Sequence, residues 1–274
     1  MMPLRDAPDD RFAGVQYVLT DIDDTLTRDG RVSCVSYCAL WRLHESGVRV
    51  IPVTGRPAGW CDLIARQWPV EAVVGENGAF VFYLNDGSLR HIYHPSVDRA
   101  EGRTRLAAIA ERVYRDVPGT RAAKDQFGRL FDLAVDFREE PPYLDFEAAR
   151  KIQRLFETEG AHAKISSIHV NAWFGDYDKL SMTKIFFRER YGLDLEAPEQ
   201  NRLVVFVGDS PNDEPMFGFF ENSCAVSNVS EFVDSLTERP AYVTSRSHGE
   251  GFAEVADRLL RSRETVGVSA TGTP

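Results

Sequence analysis

Apolar runs alternate with segments of helical period in the first third of the chain. Strands are predicted at 15–20, 48–53 and 70–74, and helices are predicted between them at 33–45 and 58–67. Buried β-branched runs separated by helices are typical of a parallel sheet with helices packed on its faces. The pattern therefore predicts a doubly wound α/β domain.

The middle of the chain has a different pattern, in which strands are more frequent. The stretch AFVFYLNDGSLRHIYHP predicts a hairpin that turns at Asn85-Asp86-Gly87. It is followed by four predicted elements, a helix at 99–115, a strand at 130–137, a helix at 146–157 and a strand at 164–172. We expect these residues to form an inserted α+β cap domain.

The alternation of strands and helices resumes after the insert. The predicted elements are a helix at 181–191, a strand at 203–207, short strands ending at 226 and 243, and a helix at 251–261. The polar ends, 1–13 and 262–274, are expected to be mobile. The division predicted from these patterns is a core domain of residues 1–82 and 176–274, interrupted by a cap domain of residues 83–175.

Composition narrows the class of protein. Apolar residues make up 43% of the chain, charged residues 27%, and the formal net charge is −10. These values are typical of a soluble globular protein and disfavour nucleic acid or anionic membranes as partners. No apolar run approaches the roughly 20 residues of a membrane span, and the N-terminus lacks the apolar core of a signal peptide. A cytoplasmic protein is expected, with Cys34, Cys38, Cys61 and Cys224 as buried free thiols.

Polar stretches follow three of the predicted core strands. They read DIDDT from Asp21, TGR from Thr54 and GDSPND from Gly208. Ligands of open α/β sheets bind beyond the carboxyl ends of the strands, so these stretches should converge. Asp21 and Asp209 facing each other would need a hard cation, and Mg²⁺ suits oxygen ligands. An anionic substrate would then explain the surrounding donors: Thr54, Lys179 and the backbone amides near Gly55 and Gly208.

The ordered set of DIDDT, TGR, a lysine after the insert and GDSPND resembles the four motifs of the haloacid dehalogenase superfamily. The insert between the second and third motifs, together with ENGA at 76–79, resembles the Cof-like subfamily IIB of sugar-phosphate phosphatases. This resemblance covers nearly the whole chain. It implies a Mg²⁺-dependent hydrolase of a small phosphorylated metabolite, in particular a sugar phosphate.

The resemblance also implies a role for each matching residue. Asp21 would attack phosphorus to form an aspartyl-phosphate, and Asp23 would act as general acid and then as general base. Thr54 and Lys179 would bind the phosphoryl group, with Lys184 as the alternative lysine. The implied Mg²⁺ ligands are the Asp21 side chain, the Asp23 backbone carbonyl, Asp209 and Asp213.

The motifs identify residues for the phosphoryl group more clearly than residues for the rest of the substrate. The candidate substrate-binding residues are Arg56, Gly55, Asn77 and Asn171. Each motif alone could be an ordinary solvated turn at the end of a strand, without a function. Such turns would not explain why all the motifs occur together and in this order. Two other functions stay open: a phosphomannomutase-like phosphotransferase, whose arginine-rich cap stretch is not found here, and a non-catalytic phosphate or metal sensor. The pair Asp21 and Asp23 argues against the sensor.

Overall fold

The computed structural model describes residues 1–8, 10–97 and 102–270. The strands are β1 (Met2–Pro3), β2 (Tyr17–Thr20), β3 (Thr27–Arg28), β4 (Arg31–Val32), β5 (Arg49–Pro52), β6 (Ala72–Gly75), β7 (Phe80–Asn85), β8 (Ser88–Tyr93), β9 (Arg121–Ala122), β10 (Leu133–Asp136), β11 (His162–Ile165), β12 (His169–Trp173), β13 (Val204–Gly208), β14 (Ser223–Ala225) and β15 (Tyr242–Val243). The α-helices are α1 (Asp10–Ala13), α2 (Cys34–Glu45), α3 (Ala58–Gln67), α4 (Gly102–Asp116), α5 (Phe146–Thr158), α6 (Lys179–Tyr191), α7 (Pro198–Asn201), α8 (Glu214–Phe219) and α9 (His248–Ala270).

Six strands form a parallel sheet in the order β1-β15-β14-β13-β2-β5. Neighbouring residues of β2 face opposite sides of this sheet. Val18 belongs to a buried cluster with side chains of α2, α3 and α9, while Leu19 belongs to another with α6 and α8. Because both faces are covered, the strands are continuously apolar, as the sequence pattern requires. The predicted doubly wound α/β fold is confirmed.

The insert has its own antiparallel sheet, in the order β11-β12-β10-β9. Helices α4 and α5 pack on it around a third buried cluster that includes Val113, Phe137, Ile152 and Phe156. The prediction of a single strand at 164–172 is wrong, because β11 and β12 pair as a hairpin. Its turn contains no glycine or proline and is closed by the hydroxyl of Ser166, which accepts a hydrogen bond from the backbone N–H of His169 at 3.0 Å.

The hairpin β7-β8 packs with the core rather than with the insert. Strand β7 pairs with β6, and a parallel bridge between Val53 and Val74 joins β6 to the edge of the core sheet. Phe80 and Phe82 lie in the same buried cluster as α3. The division of the chain at 82/83 and 175/176 remains a prediction, and we propose to move its first boundary to a point after Tyr93.

Both ends of the core differ from their prediction. Met2 and Pro3 pair with Tyr242 and Val243, so the first residues form the edge strand of the sheet. Helix α9 is longer than predicted and continues to Ala270. The predicted start of the helix at 99–115 falls outside the described residues.

The cysteines divide into two kinds. Cys61 and Cys224 are buried free thiols, as predicted, but Cys34 and Cys38 are exposed, with their sulfur atoms 3.8 Å apart. Among the described residues, no helix has the length and apolar character that crossing a bilayer requires.

Candidate active site

The acidic stretches DIDDT and GDSPND leave the same edge of the sheet because their strands are parallel neighbours. Val207 of β13 lies in register with Thr20 of β2, and its carbonyl accepts a hydrogen bond from the backbone N–H of Asp21 at 2.9 Å. Asp21 and Asp209 are buried, with 4% and 1% of their surface exposed. The carboxyl ends of the two strands therefore bring two acids into a protected site.

A third acid completes this cluster. Asp213 contributes a carboxylate oxygen that lies, with one oxygen each of Asp21 and Asp209, in a group whose members are all within 4.8 Å of one another. Its Oδ2 accepts hydrogen bonds from the N–H groups of Asp209 and Ser210, at 3.0 and 3.3 Å. A side chain at Gly208 would lie 2.5 Å from that oxygen, so glycine is required there.

Lys179 is the basic residue of the cluster. Its Nζ donates to Asp21 at 2.9 Å and to Asp213 at 2.7 Å, and only 3% of the residue is exposed. Burial alone would lower the pKa of this ammonium, but the charges of Asp21 and Asp213 outweigh burial and raise it. Lys184, the alternative, pairs instead with Glu196 at 2.7 Å. The structure thus brings Lys179, and not Lys184, to the predicted site.

The turn ENGA packs against the start of helix α6, where Lys179 lies. Glu76 and Asn77 have φ values of 44° and 55°, and Gly78 has a φ of 106°. A side chain at Gly78 would lie 2.0 Å from the carbonyl oxygen of Asp178, the residue that caps α6. Gly78 thus adopts a backbone conformation that favours glycine, and the absence of a side chain allows close packing against the start of α6, the helix that begins at Lys179.

The charges of the cluster are unbalanced without a cation. Burial chiefly raises the pKa of Asp21, to about 7, and the charges of Asp213 and Asp23 add to the rise while Lys179 opposes it. Burial and the charges of Asp21 and Asp213 likewise raise the pKa of Asp209. Three buried carboxylates beside one ammonium form a set of hard oxygen donors that fits a divalent cation such as Mg²⁺.

Two residues that the sequence analysis missed orient Asp209. The hydroxyl of Thr25 donates to one carboxylate oxygen at 2.9 Å, and the side-chain amide of Asn228 donates to the other at 3.3 Å. Such outer contacts fix the orientation of a metal-binding carboxylate. Thr25 is the last residue of DIDDT and so was within a recognised motif, whereas Asn228 lies in a segment without any sequence signal.

Asp23 is held by Arg56. The guanidinium Nε and Nη2 donate to the Asp23 carboxylate at 2.8 to 3.1 Å, a bidentate pair. Nη1 donates to Asp125 at 3.2 Å and to Glu139 at 3.1 Å, both in the insert. Arg56 is 2% exposed and also lies over the ring of Trp60. Its donors are thus occupied by protein carboxylates, and contact with substrate stays a prediction.

The remaining predicted residues gather around the TGR turn. The hydroxyl of Thr54 accepts a hydrogen bond from the backbone N–H of Arg56 at 3.1 Å. A side chain at Gly55 would lie 3.2 Å from the Asn77 amide and 3.4 Å from Asn171. Asn171 donates to Asp132 at 3.1 Å, and the buried amide nitrogen of Asn77 has no hydrogen-bond partner among the described residues. Their contacts with substrate remain predictions.

A cleft of about 650 Å³ opens between the core and the insert. It is lined by acidic groups of the site and by insert residues of mixed polarity, and Gly55, Asn77 and Asn171 are not among the lining residues. The lining residues include Asp23, Asp24, Asp209, Arg56, Arg138, Glu139, Tyr143, Phe146 and Phe232.

A buried carboxylate joins the core to the insert. Glu76 accepts hydrogen bonds from the backbone N–H groups of Leu130, Phe131 and Asp132 at 2.7 to 3.2 Å, and from that of Ala58 at 3.0 Å. Burial raises the pKa of Glu76 to about 7, together with the charge of Asp132 and against the hydrogen bond from Leu130. Because these donors belong to both the core and the insert, this side chain contributes to the stability of their junction, beside the ion pairs of Arg56 with Asp125 and Glu139.

The raised pKa of Glu76 predicts a pH-dependent stability. Its folded pKa of about 7 exceeds the ordinary value of 4.5. The protonated form therefore favours folding, and this contribution is full below about pH 4.5 and lost as the pH rises through 7. Relative to Glu76→Gln, the wild-type free energy of unfolding should fall by up to ~3 kcal/mol between pH 4.5 and 8. Denaturant unfolding across this range measures the difference.

The exposed variant Glu199→Gln serves as the control for that experiment, because its side chain lies on the surface of α7. It should keep the same pH dependence as the wild type. Wild-type and Glu76→Gln curves that stay parallel over the range would contradict the burial argument.

This chain is similar to several known proteins in sequence and in fold. A sequence profile of haloacid dehalogenase-like hydrolases matches residues 18–111. The phosphoglycolate phosphatase of Haloarcula marismortui is 28% identical over 242 residues, which is 86% of this chain and 94% of that protein. The crystal structure of protein 0175 of Thermoplasma acidophilum superposes with a TM-score of 0.69 at 19% identity, covering 90% and 98% of the two chains. A subclass IIB sugar phosphatase superposes with a TM-score of 0.61 at 16% identity, covering 89% and 98%.

Proposed function

We propose that this chain is a phosphatase of the haloacid dehalogenase superfamily, subclass IIB, and that it hydrolyses small phosphomonoesters with Mg²⁺ through an aspartyl-phosphate. The observation that carries this proposal is the buried group of Asp21, Asp209, Asp213 and Lys179, of which Asp209 lines a cleft together with Asp23. The proposed nucleophile, a second carboxylate and the proposed cation site thus lie beside a cleft with room for a small substrate.

The two acids of DIDDT have different surroundings, which suits different roles. Asp21 is fixed by Lys179 and is the proposed nucleophile, forming a P–O bond as the ester oxygen leaves. Asp23 faces the cleft and is the proposed general acid, which protonates that leaving oxygen and then takes a proton from the water that attacks the aspartyl-phosphate. The ion pair with Arg56 orients the Asp23 carboxylate for this work.

Phosphoryl transfer also needs stabilisation of negative charge. Lys179 is the proposed positive partner of the phosphoryl oxygens, and the hydroxyl of Thr54 is a proposed hydrogen-bond donor to them. Asp21, Asp209 and Asp213, with the backbone carbonyl of Asp23, are the proposed ligands of Mg²⁺. When bound, this cation would neutralise charge on the phosphoryl group and on the carboxylates around it.

Two substrate classes are supported by different observations. The cleft of about 650 Å³, with the aromatic rings of Tyr143 and Phe146 on its wall, has room for a sugar phosphate. Curated relatives of 24 to 28% identity are named phosphoglycolate phosphatases, which supports a small phosphorylated acid. A phosphomutase is the remaining alternative. Location in the cytoplasm is likewise a prediction from the sequence.

Removal of divalent metal tests the proposed cofactor. Activity against a panel of sugar phosphates, phosphoglycolate and 4-nitrophenyl phosphate should fall to background after chelation and return with Mg²⁺, because the acidic group then lacks its counter-charge. Release of inorganic phosphate is the readout, and isomerisation of a hexose phosphate would indicate the mutase. Undiminished turnover in the chelated protein would overturn the cation site, and no turnover of any ester would overturn the hydrolase.

A further inference from the structure

The charged residues that line the cleft are mainly acidic. Its carboxylates are Asp23, Asp24, Asp29, Glu139, Asp209 and Glu231, and its basic residues are Arg56, Arg138 and His248. A substrate with an anionic group besides its phosphate would be repelled by most of this wall. Such a substrate therefore needs a particular cationic side chain opposite its second charge.

Arg138 is the arginine of the cleft that has no carboxylate partner in the described part of the chain. Arg56, by contrast, is buried and engaged with three carboxylates. Arg138 is exposed, and among the described residues no acidic side chain lies within ion-pair distance of its guanidinium. Its planar fork of N–H donors is thus available to an anion in the cleft.

The neighbouring acid is already neutralised by other groups. Glu139 lies next to Arg138 in sequence, but its carboxylate accepts from Arg56 at 3.1 Å and lies 2.8 Å from Nε2 of His169. Partial burial would raise the pKa of Glu139, but the hydrogen bond with His169 and the charge of Arg56 lower it to about 2. Glu139 is therefore a satisfied carboxylate and does not compete for Arg138.

Aromatic packing holds Arg138 in place. Its guanidinium lies over the ring of Phe146, 5.1 Å from the centroid, and its backbone N–H donates to the carbonyl of Ile168 at 3.3 Å. Phe146 in turn packs against Phe137 of the insert and Phe232 of the core, with ring centroids 5.5 and 5.2 Å apart. Such a platform limits the rotamer freedom that an arginine loses when it binds a ligand.

We propose that Arg138 binds a carboxylate of the substrate, so that the enzyme prefers phosphorylated carboxylic acids to phosphate esters whose remaining part is uncharged, the neutral esters of the test below. This inference rests on the proposed phosphatase function and adds a specificity site in the insert. The phosphoryl end would lie where Asp23 and Asp209 line the cleft, beside Asp21, while the carboxylate would accept from the Arg138 guanidinium across the same cleft. The bidentate geometry of arginine and carboxylate makes this contact selective.

Two matched pairs of substrates test the proposal. Phosphoglycolate is compared with 2-hydroxyethyl phosphate, and 3-phosphoglycerate with glycerol 3-phosphate, since each pair differs at the carboxylate. In the wild type, the carboxylated member of at least one pair should have the higher kcat/KM. Arg138→Met should lower that value about 10- to 100-fold, mainly through KM, and should change the neutral esters less than about threefold. Arg138→Lys should recover part of the loss.

Arg154→Met, an exposed substitution on α5, is the matched control and should leave both members of each pair unchanged. Equal losses on charged and neutral esters, an unchanged Arg138→Met enzyme, or a wild type that prefers neither acid would overturn the inference. If the wild type hydrolyses the neutral esters and 4-nitrophenyl phosphate in these cases, the proposed phosphatase stands. If it hydrolyses no ester at all, the proposed function and this inference fall together.

Discussion

Replacing Asp21 by Asn should reduce phosphatase turnover by about 10⁴-fold or more, because an amide cannot form the aspartyl-phosphate. Acid-quenched wild-type enzyme should carry a covalent phosphate after reaction with labelled substrate, and the variant should carry none. The protein should stay folded, since the substitution removes one of three buried like charges and leaves Lys179 paired with Asp213. A thermal melt of the metal-free protein checks this and should show no loss of stability.

Asp24→Asn is the matched control for that experiment. Asp24 lies in the same turn and lines the cleft, and its φ of 57° suits asparagine. Its pKa is raised chiefly by burial, and it has no place in the metal cluster. Activity should therefore fall far less than in Asp21→Asn. Comparable losses at the two positions would refute the assignment of Asp21 as the nucleophile.

Asp23→Asn should lower steady-state turnover about 10²- to 10⁴-fold, but with different kinetics for different leaving groups. An alkyl phosphate needs a proton on its leaving oxygen, so its first step should be lost. The leaving group of 4-nitrophenyl phosphate is stable as an anion, so its first step should persist. Since the second step also needs Asp23 as a base, a burst of about one 4-nitrophenol per enzyme followed by slow turnover is expected in stopped-flow absorbance.

Asp29→Asn, on the same wall of the cleft, is the control and should show wild-type kinetics without a burst. If Asp23→Asn reduces both substrates equally and gives no burst, Asp23 is not the proton donor and its ion pair with Arg56 has another purpose.

The sheet and the acidic cluster were predictable because they depend on local patterns. Apolar runs mark strands that are buried on both faces, and parallel neighbours must end at one edge, which brings Asp21 and Asp209 together. The spacing of the motifs could not identify the lysine of the site, because Lys179 and Lys184 lie about one turn apart on the same helix. The contact of Lys179 with Asp21, and of Lys184 with Glu196, distinguishes them only in three dimensions.

The junction between core and insert was not predictable, since its contacts join residues far apart in the chain. Glu76 lies in ENGA, which contributed only to the family resemblance, and its partners at 130–132 donate through the backbone, so their side chains give no sign of the contact. The hairpin β7-β8 was assigned to the insert because alternation along a strand does not reveal which sheet it joins. Only its pairing with β6 does.

The two connections between core and insert run side by side. Gly175 has a φ of 114°, and a side chain there would lie 2.2 Å from the carbonyl oxygen of Ser96. The rings of His94 and Tyr177, just outside these points, are 5.8 Å apart. Because the two connections to the insert lie in contact, the core residues on either side of the insert are close neighbours in space. The insert therefore interrupts the core at a single place, and inserts of other size or shape could occupy this place without a change in the sheet.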